Sequence, residues 1–522
     1  MTKSQRPRPT KGLMERARRV TPRAPNFDSG IIDEPSLLFG GQRAHIDPKS
    51  GLALYGPYTA KGQRAPHLRS AVIGIVGPPA IVADAEAWLR ACQGIILNDG
   101  TQPFLYPHFP GLSATTPMQC DLIFGDLWRA TIKDGKLLAA AGKPVFQDRI
   151  REVVKLYLDA IGILGGREPK PNVVLCCIPQ SIVDTCTVQK AAERKMQKLQ
   201  AKASRKASRN QLSLFTRDED ESSGHQNLRR GLKAEAMQSG IPTQLVWPAT
   251  LRLAGSNATG RLRTQDDATR AWNFTTALYH KAGGLLWRLT DLEPGVCFVG
   301  VSFFRELGDA GRMRTSMAQA FTAGGDGYVL RGETFEWEDG QRSPHLNRKL
   351  AASLLRDVIE VYKRQNRESL PSRIVVHKSS AYWEEELDGF HEACAVIPQK
   401  DFVAIGSRDL QFYRRGEYPP LRGTYVKFSD TDLLLYTNGY VPYLRTYPGA
   451  RVPRPLEILE HHGDSPWDVL LKETLALTKM NWNTADFCGR EPITLAFSRR
   501  VGQVLAEIPA EGKVLQDYRF YM

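Results

Sequence analysis

Four polar side chains near the middle of this 522-residue sequence have the types and spacing to hold a phosphate. Arg229 and Lys233 stand four apart in "NLRRGLKAEAMQSG", on one face of a helix. The "GIP" that follows ends the helix and begins a strand carrying Gln244. Further along, the amphipathic stretch "AWNFTTALYHKAGGLLWRL" delivers Lys281 just ahead of Gly283 and Gly284, where a backbone can approach closely. Two lysines, an arginine and an amide converging near element ends suit a terminal phosphate, which takes charge-assisted donors in preference to apolar contact. Each residue alone has a plainer reading. Cations four apart on a surface helix are solvated, and a lysine in a last turn answers the helix dipole.

A second chemistry-bearing stretch is "VCFVGVSFFRE", an apolar strand interrupted by Ser302. It is not a GxSxG nucleophile elbow, because position 304 is Phe and no helix follows at once. The carboxylates of "EEELDGFHE" (384–392) read as a solvated helix face, and His461 and His462 as loop residues. "GIVG" at 74–77 lacks the rest of a dinucleotide fingerprint and reads as a tight-turn glycine. None of the eight cysteines falls at zinc-ligand spacing, which points to buried thiols in a reduced, cytoplasmic setting.

The elements that must position these groups alternate. "SAVIGIVGPP" then "AIVADAEAWLRACQG" is strand, turn, helix; "PNVVLCCIPQSIVDTC" and "SRIVVHKSS" are strands. Helices with period-3.6 apolar positions, "RIREVVKLYLDAIGIL" and "HLNRKLAASLLRDVIEVYKRQ", lie between them. The fold class is therefore α/β. Residues 1–28 form a basic, Pro-rich tail, 190–226 a charged insertion, and the acidic turn at 290–295 divides two units. No apolar run reaches the ~18–20 residues of a membrane span. The formal charge of +14 and pI near 9.3 make a polyanion the expected partner.

In order, RxxxK, GIPTQ, YHKAGGLLWRL and PGVCFVGVSFFRE resemble the MID–PIWI half of Argonaute proteins. The stretches "EPSLLFGGQRAHIDPKSGLALYGPY" and "LALTKMNWNT…EPITLAFSRRVGQVL…RFYM" are similar to the short prokaryotic Argonautes in particular. The resemblance implies a Rossmann-like MID domain (29–291) followed by an RNase H-like PIWI domain (292–522). It implies a guide 5′-phosphate site at Arg229, Lys233, Gln244 and Lys281, with a Mg²⁺ bridging guide phosphates and Met522, through a terminal carboxylate, as a ligand. Active members carry a carboxylate tetrad holding two metal ions; here Ser302, Ser379 and Arg499 fall at its positions, so no slicing is expected. A duplex channel is expected from His377, Lys378, Arg408, Arg414, Arg415, Arg422, Lys479, Arg499 and Arg500, with Tyr413, Tyr425 and Trp482 interleaved.

The partners implied are a 5′-phosphorylated guide RNA, a single-stranded DNA target and a separate APAZ-domain effector. That effector would be a TIR or sirtuin-like NADase or a nuclease, acting in prokaryotic defence. Silencing by occupancy alone, or a metal-dependent nuclease with other ligands, are the alternatives.

Overall fold

The computed structural model describes residues 28–59, 67–98, 100, 102–187, 227–252, 265–290, 292–305, 312–320, 327–337, 343–413, 419–429, 432–449, 452–508 and 512–522. The basic tail up to residue 27, the 190–226 insertion, Arg414 and Arg415 lie outside these.

The described chain opens with strands β1 (Asp28–Ile31), β2 (Leu37–Leu38) and β3 (Ala44–His45) and helix α1 (Pro48–Tyr55). A parallel sheet follows, built from β4 (Ser70–Gly77), β5 (Asp121–Ile123), β6 (Arg129–Thr131), β7 (Val173–Cys177) and β8 (Thr243–Val246). Its order is β5-β4-β7-β8, with β6 also paired to β4. Between its strands run α2 (Pro79–Gln93), α3 (Asp134–Ala141), α4 (Phe146–Gly165) and α5 (Gln180–Cys186), then α6 (Leu228–Ala236). After β8 come α7 (Pro248–Leu251) and α8 (Asp267–Lys281). Unbroken apolar runs produce this layer: every residue of β7 and all but Ser70 of β4 are buried, as in parallel sheets covered on both faces. Gly77 (φ +153°) closes β4 so tightly that a Cβ would meet the Cys177 carbonyl oxygen at 2.6 Å, which accounts for the "GIVG" glycine without a ligand.

β9 (Arg288–Leu289) joins β2 and β3 in a small sheet. The second unit is a nine-stranded mixed sheet. It comprises β10 (Val296–Arg305), β11 (Arg312–Ala320), β12 (Tyr328–Glu336), β13 (Arg373–Lys378), β14 (Gln399–Ser407), β15 (Thr424–Ser429), β16 (Asp432–Leu435) and β17 (Leu456–Gly463), with β1 added at one edge. The order is β1-β15-β16-β17-β14-β13-β10-β11-β12, and β13 pairs in parallel with both β10 and β14. Helices α9 (Arg348–Gln365) and α10 (Glu384–Ala393) cover one face, α11 (Trp467–Leu477) and α12 (Ile493–Leu505) the other. Strand alternation explains the two layers: Cys297, Val299 and Val301 pack with Leu355, Val358 and Phe390, while Val296 and Phe298 join Leu471, Leu495 and Phe497. Gly300 lets α12 sit against β10, since a Cβ there would lie 2.1 Å from the Thr494 carbonyl oxygen.

Three expectations change. β1 lies on the sheet of the second unit rather than with the residues that follow it. His461 and His462 belong to strand β17, and His461 hydrogen-bonds Asp401 at 2.7 Å. Within 384–392, Glu386 is not solvated but fully buried on α10, paired with a lysine described below.

Candidate nucleic-acid site

Asn227 caps α6 by accepting the Arg229 backbone N–H at 3.0 Å, and the helix then carries Arg229 and Lys233 on one side. β8 presents Gln244, and α8 ends on Lys281, with Ala282 and Gly283 closing its last turn. All four line one cavity of about 380 Å³, together with Trp247, Asn273, Asn483 and Met522. The structure thus brings together the four residues singled out for a phosphate. Arg270, Asn273, Phe274 and Ala277 precede Lys281 along the same helix face and also line the cavity. The period-3.6 pattern of α8 carried that signal, although only Lys281 was singled out from it.

Both lysines are almost wholly buried. Lys233 Nζ donates to the Thr243 carbonyl at 3.1 Å, and Lys281 Nζ to Gln244 Oε1 at 3.4 Å. No Asp or Glu lines the cavity. Burial pulls the Lys233 pKa down to about 7, the Arg229 charge adds to this, and the Cys176 thiol beneath opposes it. Burial likewise holds Lys281 well below the ordinary lysine range, reinforced by Lys233 and Arg229. The terminal nitrogens of Arg270 are bonded elsewhere, to Asp267 and the Ala249, Thr250 and Arg252 carbonyls. A cavity lined by cations and by no acidic side chain suits an anion, since buried like charges are otherwise costly. Its charged side chains are cations, and no group of three His, Cys, Asp or Glu among the described residues is placed to hold a metal. Met522, the residue expected to help hold a Mg²⁺ through a terminal carboxylate, also lines the cavity.

β10 and β13 run parallel with Val301 opposite Lys378; Ser302 continues β10 past that pair, and Ser379 follows the end of β13. Ser302 is half-buried and Ser379 exposed, in the turn after β13. Arg499 does not face them from a buried position. It is 52% exposed and grips Glu491 through both terminal nitrogens, while the preceding Ser498 is buried.

Four of the nine expected channel cations are buried. His377 is buried, hydrogen-bonded to Thr494 Oγ1 at 2.8 Å, and burial depresses its pKa to about 3. Lys378 is buried against Glu386 at 2.5 Å and lies over the Phe303 and Tyr382 rings. Lys479 is buried against Glu34 at 2.6 Å and donates to the Pro35 and Ile46 carbonyls, and Arg422 is buried against Glu34 as well. Trp482 is a core residue under His280. These five hold the core together and do not line a channel. Arg408 is part-exposed and paired with Asp432 and Glu457; Arg499, Arg500 and Tyr413 are exposed.

Two α/β units, one bearing an anion cavity at its seam with the other, define a class of fold that solved structures share. Clostridium butyricum Argonaute bound to a guide DNA and a 19-mer target DNA matches with a TM-score of 0.62 at 16% identity, covering 95% of this chain and 55% of that one. Drosophila Piwi matches with a TM-score of 0.57 at 13% identity, over 95% of this chain and 56% of that one. The chain has the Argonaute–Piwi fold.

In sequence it is similar to the argonaute of Aquifex aeolicus, 22% identical over 293 residues, 54% of this chain and 37% of that protein. It is also similar to the argonaute of Thermus thermophilus, 24% identical over 260 residues, 48% of this chain and 33% of that protein. The matches thus span about a third of those two relatives and just over half of the solved chains. No protein-family model matches. Among the described residues no helix is long and apolar enough to cross a membrane.

Proposed function

We propose that this chain is a guide-dependent nucleic-acid-binding protein of Argonaute type. It anchors the 5′-phosphate of a guide strand at Arg229, Lys233, Gln244 and Lys281. One observation carries the reading: two buried lysine amines and an arginine line a cavity that no acidic side chain lines. A terminal phosphate supplies the missing charge and enough acceptor oxygens for all of these donors. The test is the affinity of one oligonucleotide with a 5′-phosphate and with a 5′-hydroxyl. The phosphorylated form binds at least tenfold tighter, and Lys233→Ala with Lys281→Ala removes that advantage. Equal affinities in the wild-type protein refute the assignment.

The same proposal holds the chain to recognition without cleavage. Ser302 and Ser379 are hydroxyls where two divalent ions would need carboxylates. The guide is then a small RNA and the target single-stranded DNA. The output belongs to a separate APAZ-domain effector, an NADase or a nuclease, in prokaryotic defence. Target pairing would favour the active arrangement of such a complex by binding it better. This finer reading rests on the sequence resemblance. Sequencing the nucleic acids that co-purify with the chain, and weighing any stoichiometric second chain, tests it.

A further inference from the structure

The N-terminus of α6, the helix carrying Arg229 and Lys233, is held by a residue from the opposite end of the sequence. Glu507, just past α12, is buried, and its Oε1 accepts the Asn227 backbone N–H at 3.2 Å. Asn227 is the N-cap of α6 and gives its own side-chain oxygen to the Arg229 N–H. The other Glu507 oxygen, Oε2, is buried without a hydrogen-bond partner among the described residues. An unpartnered buried oxygen is destabilising, and a carboxyl at a helix N-terminus is favourable, so this contact is chiefly directional. α12 lies along α6 at this seam: after burial itself, the like charge of Arg500 is what most depresses the Arg229 pKa.

We infer that Glu507 is a positioning residue for the phosphate cavity: its carboxyl fixes where α6 begins, and so where Arg229 and Lys233 present their charges. This rests on the phosphate-binding reading above. The groups facing Glu507 are Asn227 and Arg230, which favour its ionised form, and Glu235, which opposes it. Burial raises its pKa most, to about 7, so the neutral and ionised forms coexist near neutral pH. Oε1 accepts the Asn227 N–H in both.

The experiment compares the full chain with Glu507→Gln and Glu507→Ala, reading the ratio of affinities for 5′-phosphorylated and 5′-hydroxyl forms of one oligonucleotide. Gln keeps an acceptor oxygen for the Asn227 N–H, and Ala does not. The inference expects the wild-type ratio in Gln and a ratio lowered roughly three- to tenfold in Ala, the worth of one hydrogen bond, with 5′-hydroxyl affinity unchanged. Should the Ala variant fold poorly, Glu507→Leu fills the space without an acceptor and must show the same loss. A wild-type ratio in the folded Ala or Leu variant overturns the inference, as does a Gln variant as impaired as Ala. A wild-type protein that does not distinguish the two oligonucleotides overturns the phosphate reading itself, a result separable from both.

Discussion

Phosphate binding at the lysine pair takes up protons. In the free protein Lys233 titrates near pH 7, with burial the main cause and Arg229 the second; Lys281 is depressed by burial, then by Lys233 and Arg229. A bound phosphate dianion reverses the balance and holds both amines protonated. Above pH 7 the free site therefore loses a proton that the complex keeps. Each such proton lowers affinity about tenfold per pH unit, or about 1.4 kcal/mol. Between pH 7 and pH 9 Lys233 alone accounts for a loss of roughly 50-fold in 5′-phosphate affinity, and Lys281 makes the fall steeper. The measurement is the ratio of 5′-phosphate to 5′-hydroxyl affinity across that range at constant salt, because the ratio cancels backbone electrostatics. Calorimetry at pH 8 in two buffers of different ionisation heat counts the protons directly, and should find about one or more per guide.

The free protein moves the opposite way. A lysine with a lowered folded-state pKa leaves the unfolded chain binding more protons between pH 7 and the ordinary lysine pKa, so stability rises with pH through that window. Lys233 contributes at most about 5 kcal/mol to that rise. A ratio that stays flat from pH 7 to pH 9, or protons released instead of taken up, refutes the reasoning.

Lys378→Met leaves Glu386 buried without its partner, and should destabilise the fold by about 3–5 kcal/mol while leaving nucleic-acid affinity per folded molecule unchanged. Chemical denaturation beside a binding titration checks both, and adding Glu386→Leu should recover much of the loss. With Mg²⁺ or Mn²⁺, a guided single-stranded target should remain uncut over many hours of incubation. A cut at one fixed position, abolished by replacing a specific carboxylate, would refute that expectation.

The strands and helices were legible where one period ran unbroken: β7 and β10 as apolar runs, α4 and α9 as helical stripes. That these four residues share one cavity was legible because α6 and α8 each set a lysine at a fixed place relative to a helix end. The channel was not, because a cation in sequence does not announce its burial. The partner that neutralises Lys378 sits eight residues on, in a stretch that looked solvated. The partner of Lys479 is Glu34, at the far end of the sequence. Arg499 is turned outward for a helical reason, since one residue is about 100° of rotation and sets Ser498 inward and Arg499 out. Glu507 carried no local signal, because its contact with Asn227 spans 280 positions.

The strap at Glu34 has a consequence for how this chain can be divided. Glu34 neutralises both Arg422 and Lys479, and β1 pairs with β15, yet both lie ahead of the parallel sheet in sequence. A cut at the 290–295 turn would leave the C-terminal fragment with two desolvated cations and a bare sheet edge. The N-terminal fragment would keep the lone carboxylate and an orphaned strand. Each piece would hold what the other lacks, so a severed chain would behave as a complementing pair, and neither fragment would be a faithful stand-in for its half of the intact molecule.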